Sequence, residues 1–120
     1  MSYRERQRLA DIQAAIDAIR SHLQRGDLSD GLIFDAVCIR QLEIGEVVKA
    51  LPDDVLAAQP SIPWRQITRM RDHLAHRYFD TAHAILQATV DEGLPDLERA
   101  VQALVRSLEK KGPDAPSSTT

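Results

Sequence analysis

Between positions 65 and 77 the chain places four arginines (Arg65, Arg69, Arg71, Arg77) and two histidines (His73, His76) against a single acid, Asp72. A guanidinium offers paired N–H donors in a plane that matches a phosphate. An imidazole takes up and releases a proton near neutral pH. Together these groups suit the binding and cleavage of a phosphodiester without a metal ion. The competing reading of the same charge count is a solvated helix face whose arginines and histidines serve solubility.

The elements that must position these groups are helices. A helix is predicted from near Pro63 toward Tyr78, since proline at a helix start forfeits no hydrogen bond. At about 100° per residue, Ile67, Met70 and Leu74 form its core stripe. Arg71 and Tyr78 flank that stripe, whereas Arg65, Arg69 and His76 cluster on the opposite side. Arg71 is then partly buried and needs an acidic partner, for which Glu43 and Glu46 on the preceding helix are the candidates. Arg71 and His76 stand about 140° apart on a straight helix. They converge only if the helix bends or ends before His76, or if a second copy of the chain completes the site.

Apolar periodicity predicts the remaining helices. The first covers Tyr3 to Gln24, with Leu9, Ile12, Ile16, Ile19 and Leu23 on one face and Gly26 as its stop. The second runs from a cap at Ser29 or Asp30 to Leu51. Its apolar positions, Leu32 and Ile39 among them, cover more than one stripe and predict packing on two sides. Pro52 opens a short turn from Asp53 to Gln59, and Pro60 and Pro63 bracket a break. A helix after Asp80 is expected to stop at Gly93, and a last one to run from about Leu94 to Lys110. The fold class is thus an all-α antiparallel bundle of about five helices. One helical domain over 1–111 is expected, followed by a polar tail over 112–120.

Composition narrows the function. Aromatic residues make up only 4% of the 120 residues, too few for a β-sandwich or barrel. The net charge of −3 argues against binding nucleic acid through bulk charge and leaves room for a local basic site. A single cysteine, Cys38, excludes an internal disulfide and a multi-cysteine zinc site, and it lies in an apolar stretch that suits a core residue. No metal and no cofactor are expected. Apolar runs are too short for a membrane span, and no signal-type stretch follows the basic start, so a cytoplasmic protein is the expectation.

The string from Pro63-Trp64 through Met70, Arg71-Asp72, three further residues, His76, Arg77 and Tyr78 resembles the HEPN superfamily, in particular its HepT-like toxin branch. The signature there is Arg, a polar residue, three residues, His, any residue, Tyr. The segment from Ile39 to Gly45-Glu46 is similar to the second helix of that family, and the resemblance covers roughly residues 9 to 108.

The resemblance implies a metal-independent ribonuclease toxin of a two-gene toxin–antitoxin system (type II/VII), acting as a symmetric homodimer with both motifs facing one cleft. Arg71 and His76 would be catalytic, with Asp72 supporting them by orienting one or the other. Arg65, Arg69 and Arg77 are candidate RNA contacts. The implied antitoxin is a minimal nucleotidyltransferase that transfers AMP to the motif tyrosine, Tyr78. The alternative is a non-catalytic helical adaptor that binds a nucleotidyltransferase or a nucleotide. His22, His73 and His83 are read as bystanders, and Trp64 as packing at the start of its helix.

Overall fold

Asp30 settles the start of the second helix. Its carboxylate accepts from the amides of Leu32 (2.9 Å) and Ile33 (3.5 Å), two groups that have no partner within the first helical turn. Ser29 instead turns back, donating its backbone N–H to Asp27 at 2.9 Å. The computed structural model describes residues 3–77 and 83–110, with the backbone alone for Arg77 and Lys110. Tyr78 and the expected tail at 112–120 lie outside the described residues.

The order is α1 (Tyr3–Arg25), α2 (Gly31–Ala50), α3 (Asp53–Ala57), α4 (Trp64–Arg77), α5 (His83–Ala88) and α6 (Leu94–Lys110). A π-helical turn, Thr89–Gly93, joins the last two. The described residues contain no strand, and the fold is the all-α bundle read from the sequence. Helix α1 packs on α2 and α6, and α2 packs in turn on α4. Leu9, Ile12, Ile16 and Ile19 are fully buried on the predicted face of α1, against Val37 and Ile44 of α2 and Val101 and Leu104 of α6. Glu98 of α6 ties the outer edge to α1, accepting from Gln13 (2.7 Å) and Arg20 (2.5 Å). Both bonds hold its carboxyl below the usual glutamate range.

Two expectations need correction. Helix α2 does pack on two sides, but Leu32 and Ile39 are on neither, being 77% and 61% exposed. Nor does Gly93 end a helix. The flanking Ala88 and Leu94 are both right-handed helical, and the Leu94 N–H bonds to the Thr89 carbonyl, five residues back. Pro95 supplies the reason. It has no N–H, and its ring crowds the carbonyl four residues earlier, so the turn before it widens instead of breaking.

Trp64 does more than pack. Its indole N–H reaches the carbonyls of Leu56 (2.9 Å) and Gln59 (3.0 Å), closing the end of α3 onto the start of α4. Cys38 is 2% exposed, and burial pushes its thiol up to about 11, as expected of an inert core residue.

Helices α2 and α4 meet at Gly45. A Cβ there would lie 2.3 Å from the Arg71 Cβ and 3.1 Å from the Ile67 carbonyl oxygen. No side chain fits, so Gly45→Ala must push the two helices apart. Gly31, in contrast, has nothing within 4 Å of its would-be Cβ. In urea unfolding, Gly45→Ala should cost about 1–3 kcal/mol. Gly31→Ala should be neutral or stabilising by up to about 1 kcal/mol. Equal effects from the two substitutions would show that the close approach is not under constraint.

Candidate active site

The Arg71 side chain starts against Gly45 and ends on the next residue of α2. Its Nε donates to Glu46 Oε2 at 2.7 Å, and its Nη1 to Asp72 Oδ1 at 3.1 Å. The guanidinium is thus held at two of its three nitrogens by carboxylates from two helices. The Arg71 side chain is 25% exposed, the partly buried arginine that the wheel predicts. Of the two expected acids only Glu46 meets it, because Glu43 pairs with Arg40 at 3.2 Å. Helix geometry explains the choice. Glu46 is about 100° from Gly45 on α2, and Glu43 about 160° in the same sense, nearly opposite the face that meets α4.

Asp72 is the hinge of the arrangement. Its Oδ1 accepts from Arg71 and also from Lys49 Nζ at 3.2 Å. It therefore orients Arg71, whereas none of its hydrogen bonds in the structure goes to His76. The Lys49 bond, and after it the Arg71 bond, hold the Asp72 carboxyl below the ordinary aspartate range. The Asp72 bond in turn raises the Arg71 pKa, with Glu46 adding to the effect. Lys49 went unnoticed in the sequence. The signal was its position four residues after Gly45, which puts both on the α4-facing side of α2.

His76 is exposed, and α4 continues unbroken through it to Arg77. The helix does not stop before His76, so that route to convergence is closed. Arg71 faces α2, and His76 shares the outward side of α4 with the exposed Arg65 and Arg69. His73 is half-buried. The His83 ring stacks on Phe34, with centroids 4.2 Å apart. An apolar groove of about 610 Å³ opens on the other flank of α4, lined by Gln41, Ile67, Met70 and Ile85 among others, but by neither Arg71 nor His76.

Among the described residues no group of three or more His, Cys, Asp or Glu is placed to hold a metal ion. No described helix is long and apolar enough to cross a membrane.

Residues 12–104 match the family described as Ribonuclease HepT-like. The chain is 38% identical to "Probable ribonuclease HepT" of Thermococcus cleftensis over 100 residues, covering 80% of this chain and 91% of the relative. It is 31% identical to "Putative RNase MJ0125" of Methanocaldococcus jannaschii over 107 residues, covering 86% and 92%. No solved structure matches the chain.

The Asp72 bonds set a pH dependence. A carboxylate with a lowered folded pKa contributes its full stability above the ordinary value of about 3.9, and loses it as pH falls through the lower folded value. In an NMR titration of the side-chain carboxyls, Asp72 should therefore take its proton later than an exposed aspartate on acidification. Lys49→Met removes the largest cause and should move that midpoint upward. An unchanged midpoint would mean that the Lys49 contact does not form in solution.

Proposed function

This chain belongs to the HepT-like ribonuclease family, and from that premise we propose a metal-independent endoribonuclease whose working site takes Arg71 from one copy of the chain and His76 from another. The observation that carries the reading is the guanidinium fixed by Glu46 and Asp72 on a helix that continues through an exposed His76. In the proposed reaction the ribose 2′-oxygen attacks the adjacent phosphorus. The 2′-O–P bond forms and the P–O5′ bond breaks. His76 moves the proton, and Arg71 stabilises the charge that gathers on the phosphoryl oxygens. The need for a 2′-hydroxyl confines the reaction to RNA. Arg65 and Arg69, on the outward side of α4, are further RNA contacts, together with Arg77.

On this reading the chain is the toxin of a toxin–antitoxin pair. Its partner is a minimal nucleotidyltransferase that places AMP on Tyr78. On a helix continued past Arg77, Tyr78 projects about 20° from Arg71, two turns further on. The phosphate of an attached AMP would then compete with the RNA backbone for the same guanidinium groups. Silencing therefore comes from occupancy of the site and leaves the bundle folded.

Cleavage is the direct test. The purified chain should cut RNA in EDTA and spare DNA of the same sequence. Arg71→Ala and His76→Ala should each lower the rate by about 100-fold or more. Mixing the two variants decides between a shared and a single-chain site. In a two-fold dimer half of the pairs are mixed, and each holds one intact Arg71–His76 combination, so about a quarter of the activity should return. No recovery despite subunit exchange would refute the shared site. A chain that binds the nucleotidyltransferase but never cuts RNA would favour an adaptor.

For the regulatory step, Tyr78→Phe should keep its ribonuclease activity after incubation with the partner enzyme and ATP, whereas the parent gains the mass of AMP and falls silent. A Phe variant that still gains that mass and loses activity would place the switch on another residue.

A further inference from the structure

Helices α2 and α4 bring two cations to one oxygen atom. Asp72 Oδ1 lies 3.2 Å from Lys49 Nζ and 3.1 Å from Arg71 Nη1. An ammonium carries three N–H donors and a guanidinium five, so each has donors beyond those given to Glu46 and Asp72. The Lys49 side chain is 44% exposed and stands beside the half-buried Arg71. An anionic oxygen already held between these two nitrogens marks a place where a phosphoryl oxygen finds both within reach.

The geometry points to Lys49 as a second phosphate-binding residue for RNA, paired with Arg71 across the α2–α4 seam. The inference rests on the reading of Arg71 as the phosphate clamp. The chemistry divides between the two cations. Arg71, held at Nε and Nη1 by two carboxylates, supplies direction. Lys49, a compact charge on a flexible stem, follows the phosphate as it moves and tolerates replacement by arginine. The four groups Arg71, Lys49, Glu46 and Asp72 sum to no net charge, so they attract through aligned donors. Long-range attraction falls to Arg65 and Arg69, exposed on the outward side of α4. A mere cross-brace between helices makes a different forecast, since an exposed ion pair contributes little and carries no information about RNA.

The test uses the full chain and a 2′-O-methyl RNA oligonucleotide, which lacks the attacking hydroxyl and reports binding alone. Fluorescence anisotropy is followed from low to moderate salt, beside cleavage of the matching unmodified RNA. Lys49→Met should weaken binding about 5- to 10-fold and reduce the slope of log affinity against log salt by about 0.7, the loss of one phosphate contact to a single strand. The same variant should raise KM more than it lowers kcat, as expected for lost substrate binding. Lys49→Arg should restore most of the affinity. Arg40→Ala removes the same charge from another side of α2, where Arg40 pairs with Glu43, and should leave the slope unchanged. A Lys49→Met chain that is less stable yet keeps the parent's salt slope would reduce Lys49 to a brace and overturn the inference. If the parent binds the oligonucleotide but cuts no RNA, the nuclease reading falls and the binding data alone decide on Lys49. A parent that binds no RNA overturns both.

Discussion

A missing methyl group governs the α2–α4 seam. With no Cβ at Gly45, the α4 backbone comes close enough for the Arg71 Cβ to occupy the space a side chain would take. That approach places the next residue, Glu46, within 2.7 Å of the guanidinium. One turn later it places Lys49 beside Asp72. A wider seam would leave these side chains to reach across solvent, where their pairing would compete with water and with their own rotational freedom. The polar arrangement is thus a consequence of backbone packing, and its precision comes from the core beneath it.

The sequence was informative where one short-range rule decides. Helical periodicity located the buried face of α1, and the wheel of α4 foretold both the part-buried Arg71 and the separate, outward side shared by Arg65, Arg69 and His76. It was less informative where two elements must be placed together. Glu43 and Glu46 were equal candidates until the position of α4 against Gly45 distinguished them. Lys49 and the indole of Trp64 acquire their roles from atoms 23 residues ahead and eight residues behind. Leu32 and Ile39 misled because apolar identity does not reveal which side of a helix has a neighbour.

The charged groups of the seam separate two tasks that are often merged in basic proteins. Local balance between two cations and two carboxylates keeps the arginine in one orientation without concentrating repulsive charge. Arg65 and Arg69 stay on the exposed side of α4. The acidic total of the chain is compatible with this division, since the donors that matter are aligned and the surplus of acid lies elsewhere on the surface.

The widened turn before Pro95 works as a phase correction. In an uninterrupted α-helix, Leu86 and Leu94 would point about 80° apart. With one residue absorbed in the π turn, the difference falls to about 20°, and both side chains are buried, at 0% and 3% exposure. That extra residue lets α5 and α6 present a common apolar side although proline interrupts the ladder between them. Shortening the turn by one residue would rotate α5 against α6 by about a quarter-turn. Leu86 would leave the core. The burial of α5 is therefore tied to a residue count in the turn that follows it.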